Sequence, residues 1–318
     1  TKTGTLIDTL LKADRLIAPG GKKLEVNTYR ISGNESMVLI FTQVDRIFRS
    51  SYTCIPWIYD LHKHKLQQLS TTPVMNITIS PDGRKVAYVR GEDIFYRHLE
   101  SGAEVQVTTD GQQYMISNGK SDWVYEETFS LTQALLWDAG SSQIAYYRFD
   151  MRSTPMATWP LYETSGERRE HFFYRYYRAG DSIASVSIKV YNLQSSNTVT
   201  MNTGNPVDQY IPKIGWAGSG KLAVYKMPRK QDSLDILLCD ATTGAAQLIY
   251  RETSQQYVDK NLFSHHYFIQ NGAQLLLMHE QSGWRHLYLY DVAKQKATAI
   301  TSGEFDVDKI VKIDQANQ

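Results

Sequence analysis

Residues 80–108 read Ser80-Pro81-Asp82-Gly83-Arg84-Lys85-Val86-Ala87-Tyr88-Val89-Arg90-Gly91-Glu92-Asp93-Ile94-Phe95-Tyr96-Arg97-His98-Leu99-Glu100-Ser101-Gly102-Ala103-Glu104-Val105-Gln106-Val107-Thr108. Pro-Asp-Gly and Glu-Ser-Gly are turn formers, and the segments they separate are β-branched and aromatic. The stretch therefore reads as strands joined by hairpin turns. Its first half returns three times. Asp138-Ala139-Gly140-Ser141 precedes Gln143-Ile144-Ala145-Tyr146-Tyr147; Ala217-Gly218-Ser219-Gly220 precedes Lys221-Leu222-Ala223-Val224-Tyr225; Gln270-Asn271-Gly272 precedes Gln274-Leu275-Leu276-Leu277-Met278. Its second half returns as Asp235–Asp240 with Thr243-Gly244 and Gln247–Ile249, and as His286–Asp291 with Ala299–Thr301. Hairpin units repeating at roughly 50 residues or more are the mark of propeller blades, each of which needs a neighbour to cover its sheet. The uneven spacing leaves a large β-sandwich as the competing architecture.

Composition agrees with an all-β chain. Of 318 residues, 21 are Tyr and 6 Trp, types that suit half-buried pleated surfaces. The net charge of +1 gives no field toward nucleic acid or anionic lipid. No apolar run reaches the roughly 20 residues of a membrane helix. Cys54 and Cys239 are too few for a disulfide framework or a zinc site and read as small buried hydrophobes. The chain opens at Thr1 without Met or a leader, so a signal peptide is expected to be absent or already removed. Leu6, Ile7, Leu10 and Leu11 fall at helical spacing, so a short helix is expected over 5–14, ended by Pro19-Gly20-Gly21, within an N-terminal helical segment 1–20. A β-propeller domain is expected over 21–318.

Residues 150–179 break the rhythm. A polar run through Gly166-Glu167-Arg168-Arg169 leads into Phe172-Phe173-Tyr174-Arg175-Tyr176-Tyr177, which reads as an inserted arm or long hairpin rather than a nucleic-acid surface.

Chemistry is sparse. No Gly-x-Ser-x-Gly elbow occurs, so the chain holds no serine nucleophile of that kind, and no catalytic residue is assigned. Gly218-Ser219-Gly220-Lys221 precedes a strand and is not a phosphate loop. The histidines are scattered, with no metal motif, and neither a metal nor a cofactor is expected. Two clusters remain. Asn118-Gly119-Lys120-Ser121-Asp122-Trp123-Val124-Tyr125-Glu126-Glu127-Thr128-Phe129 sets adjacent carboxylates behind bulky residues. Carboxylates sharing one space repel unless a cation joins them; the bland reading is a solvated acidic turn. Phe48-Arg49-Ser50-Ser51-Tyr52-Thr53 carries an arginine able to make paired hydrogen bonds, or simply a surface arginine.

Together these clusters resemble two motifs of the dipeptidyl peptidase IV family of serine exopeptidases. Asp122-Trp123-Val124-Tyr125-Glu126-Glu127 resembles its glutamate motif, and Arg49-Ser50-Ser51-Tyr52-Thr53 with Ile58-Tyr59-Asp60 its arginine motif. Tyr210-Ile211-Pro212-Lys213-Ile214 and Gly283-Trp284-Arg285-His286-Leu287-Tyr288 also look like family segments. The resemblance implies an eight-bladed propeller of four-stranded antiparallel blades, incomplete here, set against an α/β-hydrolase domain that this sequence does not include. It implies cleavage after Pro or Ala near a peptide's N-terminus by that domain. It implies a propeller whose glutamates grip the substrate ammonium while an arginine holds a carbonyl. Partners so implied are the peptide N-terminus, the hydrolase domain and a second copy met through the 150–179 arm; the implied location is extracytoplasmic. The substrate-binding candidates are Glu126, Glu127, Thr128 and Arg49. The family run is usually Glu-Glu-Glu, its last two members gripping. Counted from Trp123, the grip falls on Glu127 and Thr128; counted back from Phe129-Ser130, a residue is deleted and it falls on Glu126 and Glu127. Two other readings stay open: a propeller that binds a protein partner without chemistry, and a paralogue with lost or altered specificity.

Overall fold

The structure, a computed structural model, describes residues 9–162, 169–218, 220–260 and 262–314. Two compact units divide the chain, residues 1–111 and 112–318, and both are built from antiparallel blades of an incomplete β-propeller.

The first unit holds two four-stranded sheets. One comprises β1 (Thr28–Ile31), β2 (Met37–Arg46), β3 (Tyr52–Asp60) and β4 (Lys65–Gln68); the other β5 (Met75–Ile79), β6 (Lys85–Arg90), β7 (Asp93–His98) and β8 (Glu104–Gln106). The second strand of each sheet is a continuous buried run, as in Val86-Ala87-Tyr88-Val89, because both faces of a blade's middle are covered. Leu39, Phe41, Ile58, Val74, Val86 and Tyr88 form one core of this unit.

The turn before the second strand follows one local rule. Oγ of Ser80 accepts from the Lys85 amide at 2.9 Å, and Oγ of Ser32 accepts from the Met37 amide at 2.9 Å. Ser32 thus marks a repeat that the Gly-rich pattern did not reveal. Between third and fourth strands the rule is an aspartate or asparagine that accepts from its own turn: Asp60 from His62 and Lys63, Asp240 from Thr242 and Thr243.

The second unit begins with β9 (Ile116–Asn118), then α1 (Trp123–Phe129), β10 (Leu135–Trp137) and β11 (Gln143–Asp150). The hairpin β12 (Met156–Tyr162) and β13 (Arg169–Arg175) follows, then β14 (Ser185–Asn192) and β15 (Thr198–Thr200). β9, β10, β11, β14 and β15 share a sheet, while β12 and β13 pair only with each other among the described residues. The inserted arm is therefore a two-stranded hairpin; Gly166-Glu167-Arg168 lie outside the described residues. Two four-stranded sheets complete the unit: β16 (Gln209–Gly218), β17 (Lys221–Pro228), β18 (Ser233–Asp240) and β19 (Ala246–Thr253), then β20 (Tyr267–Ile269), β21 (Gln274–His279), β22 (His286–Asp291) and β23 (Lys296–Ala299). Gly244, at φ +76°, lets one blade touch the next: a Cβ there would stand 2.3 Å from the Thr200 carbonyl oxygen. The core runs through Ala145, Val186, Ile188, Val224, Ile236 and Leu275. Cys54 and Cys239 are free and fully buried, and burial pushes their thiols up to about 12 and about 11.

Two expectations need correction. Thr5-Leu6-Ile7-Asp8 lie outside the described residues, and from Thr9 onward the expected helix is only a 3-10 turn, Ala13–Arg15. The apolar residues there serve packing: Leu16 is buried against Trp57 and Tyr59, with Leu11 and Leu24 beside it. The second concerns the bland reading of the acidic stretch as a solvated turn: Trp123–Phe129 form a short α-helix.

Candidate functional site at the α1 helix

The α1 helix is an excursion from a strand. β9 and β10 pair with successive halves of β11, Asn118 opposite Arg148 and Leu135 opposite Tyr146. At the position between, Gly119 donates its amide to the Tyr147 carbonyl at 2.8 Å and Tyr147 donates to the Ala134 carbonyl at 3.0 Å. The chain leaves the sheet and returns to it at one rung of the ladder, Tyr147. Everything from 120 to 133 is projected from that rung.

Local chemistry decides that the excursion is helical. Asp122 caps it: the carboxylate accepts from the Tyr125 amide at 2.8 Å. Ser130 closes it in the left-handed region, φ 55°. Tyr125 and Phe129, four apart, share the inward face and meet edge-on at 5.3 Å. Tyr125 also meets Phe149 at 4.8 Å and Tyr210 at 6.0 Å. Its phenolic oxygen accepts from the buried Ile211 amide at 2.9 Å. At the N-terminal end Trp123 packs on Tyr176, 4.9 Å between centroids, and Tyr176 takes Trp159 of the hairpin edge-on at 5.4 Å. At the C-terminal end Lys260 donates its ammonium to the Thr128 carbonyl, a favourable place for a cation.

Glu126 is buried at 4% exposure, and Glu127 and Thr128 are half-buried. Successive helical residues are about 100° apart, so with Tyr125 and Phe129 inward, Glu126 and Thr128 lie on opposite flanks of Glu127. A group touching Glu127 is joined by one flank or the other. Burial pushes the Asp122 carboxyl up to about 7 against its own hydrogen bonds. Lys213, two residues along β16 from Ile211, donates to the carbonyls of Phe263 at 2.8 Å and His266 at 3.0 Å; burial pushes its ammonium down to about 8.

Arg49 belongs to the other unit. It is exposed in the loop between β2 and β3, and its carbonyl accepts from Arg46 at 2.9 Å. Of the four candidates, then, α1 brings Glu126, Glu127 and Thr128 together. The sequence reading missed Tyr125, Ile211 and Lys260. The first had a signal: Asp122 three residues before Tyr125, and an aromatic pair at helical spacing. Lys260 had none, being 132 residues from its partner.

Comparison with known proteins agrees with this architecture. Residues 32–318 match the family described as the dipeptidyl peptidase IV (DPP IV) N-terminal region. The chain is 30% identical over 321 aligned residues to a probable dipeptidyl peptidase 4 of Arthroderma benhamiae, covering 96% of this chain and 40% of that protein. It is 26% identical over 303 residues to dipeptidyl peptidase 4 of Felis catus, covering 89% and 40%. The crystal structure of Porphyromonas gingivalis dipeptidyl peptidase 4 superimposes with a TM-score of 0.89 at 33% identity, over 98% of this chain and 44% of that one. The chain thus spans about 40% of the length of such relatives.

Proposed function

We propose that this chain, which belongs to the dipeptidyl peptidase IV N-terminal region family, uses Glu126 and Glu127 to hold the free N-terminal ammonium of a peptide. The observation that carries the reading is α1 itself: a helix anchored at Asp122, Tyr125 and Thr128 that carries two successive carboxylates, one of them almost fully buried. A carboxylate pair is a stronger acceptor for an ammonium than a carboxylate with a hydroxyl, which favours the Glu126 flank over the Thr128 flank. A fixed ammonium then counts residues from the peptide's end, as cleavage near the N-terminus requires. The chemical step is assigned to a serine hydrolase domain in the longer protein, and Arg49 stays a carbonyl-binding candidate on the family resemblance alone. An extracytoplasmic location belongs to this reading.

The test uses the longer polypeptide in which this propeller is followed by its hydrolase domain. Glu127→Gln and Glu126→Gln should each lower kcat/KM for a Gly-Pro anilide by at least about tenfold, about 1.4 kcal/mol of transition-state binding. N-acetylation of the substrate should abolish turnover, and Thr128→Glu should change it less than tenfold. Full activity in the Glu126→Gln variant together with a tenfold gain from Thr128→Glu would move the grip to the other flank. Full activity in both Glu→Gln variants would overturn the proposal.

A further inference from the structure

A second buried carboxylate lies in the same unit. β16 starts at Gln209, opposite Pro228, and Ser233 pairs with Thr253. The end of β19 therefore lies at the same end of its sheet as Ile211, the residue bonded to α1. Glu252 is there. Its Oε1 lies 3.5 Å from Nε2 of His279, the last residue of β21, and its side chain is 10% exposed. The backbone amide of Gln281 donates to Nδ1 of His279 at 2.8 Å, so the proton of the neutral ring is on Nε2, directed at Glu252. Glu252 Oε2 is buried and has no hydrogen-bond partner among the described residues.

Burial, with the charges of Glu280 and Asp259, pushes the Glu252 carboxyl up to about 7. Burial holds His279 below the usual imidazole range, opposed by Glu280. Glu280 is itself paired with Arg285 at 3.2 Å. The neighbour of Glu252 is thus a neutral donor, and its second oxygen faces none. Among the described residues no three His, Cys, Asp or Glu side chains are arranged to hold a metal ion. The chemistry that satisfies such an oxygen is the N–H of an organic cation.

We propose that Glu252, backed by His279 and flanked by Asp259 and Glu280, is the acceptor of a cation-binding subsite, and that its ligand is the guanidinium or ammonium of a basic side chain. At neutral pH the cation displaces the carboxyl proton to solvent. Affinity therefore rises about tenfold between pH 6 and pH 8, as the ionised fraction does. The basic group comes either from a bound peptide or from polypeptide beyond residue 318 of the kind the longer relatives have.

The chain is titrated calorimetrically with Nα-acetyl-arginine amide and with its neutral citrulline analogue, at pH 6 and pH 8. The arginine compound should bind, about tenfold tighter at pH 8, and the citrulline compound should not. Glu252→Gln should remove binding while circular dichroism stays unchanged. Glu280→Gln removes a repelling charge and should move the pH dependence to lower pH, which a purely structural carboxylate would not do. Equal binding of both compounds, or binding without pH dependence, would overturn the proposal. Repeating the titration on the longer polypeptide separates the sources. Loss of binding there, with a lower thermal midpoint in Glu252→Gln, assigns the subsite to a downstream side chain; retained binding assigns it to a peptide ligand.

Discussion

The amide of Ile211 donates to the phenolic oxygen of Tyr125 at 2.9 Å across 86 positions of sequence. The first strand of one blade thereby holds the helix that the preceding blade projects. Neither residue carries charge, yet the direction in which Glu126 and Glu127 point depends on this bond and on the Phe149 and Tyr210 rings around it.

Tyr125→Phe tests the bond alone. It keeps the ring contacts but leaves the fully buried Ile211 amide without its acceptor. Chemical denaturation should show a loss of about 1–3 kcal/mol. Tyr125→Ala also empties the ring's place and should cost about 3–5 kcal/mol. Equal losses in the two variants would show that the hydroxyl contributes nothing.

Asp122 gives a pH signature. Its carboxyl is raised from 3.8 to about 7 in the folded chain, so the folded state binds more protons than the unfolded between those values. Its contribution to stability is full below pH 4 and is lost as pH rises toward 7. Asn caps a helix as well as Asp and does not titrate. The stability of the parent relative to Asp122→Asn should fall steadily from pH 4 to pH 7.5 in denaturation at each pH. His266, pushed down to about 3 by burial, pulls the other way in that range. It does so equally in both proteins and cancels. A flat difference would place the Asp122 carboxyl in its ordinary range.

The hairpin should be separable from the blades beyond its base. Arg175 donates to the Tyr114 and Thr154 carbonyls at 2.9 and 2.6 Å, and Tyr176 bridges Trp159 and Trp123. Pro160 faces His171 across the hairpin, so residues 161–170 can be replaced by Asn-Gly, a two-residue hairpin turn. Calorimetry should show the cooperative transition of the parent. Tyr176→Ala, which breaks the base, should lower the midpoint. A collapsed transition in the shortened protein would make the outer hairpin part of the core.

Lys213 is a buried cation held by the strand that carries Ile211. Its ammonium serves two backbone carbonyls and lies over the rings of Tyr225 and Tyr267 at 5.3 and 5.7 Å. Lys213→Met keeps the stem and leaves both acceptors unserved, at about 1–3 kcal/mol in denaturation. Lys213→Arg, which keeps the charge and donors, should recover part of the loss. A stability equal to the parent's in Lys213→Met would show that water serves the carbonyls as well.

Much of the fold was legible because blade turns are local. Ser80-Pro81-Asp82-Gly83 satisfies its own backbone groups within a few residues, and so do Asp138 and Asp240. The arm at 150–179 was legible as a break in that rhythm. Glu126, Glu127 and Thr128 were legible as candidates because carboxylates behind aromatic residues are unusual. From Thr9 onward the N-terminal segment was misread, because apolar spacing of 3.6 also serves an irregular segment laid on a sheet, as Leu16 on Trp57 and Tyr59 shows.

The sequence alone determined the blade architecture, the candidate carboxylates and the resemblance of both to a known family, since turn chemistry and strand patterning act over short distances. Only the tertiary structure decided that 123–129 is a helix thrown out from Tyr147, which of its acids is buried, and that Ile211 and Lys260 hold it. Burial and long-range hydrogen bonds arise when distant segments meet, and no local pattern encodes which segments those are.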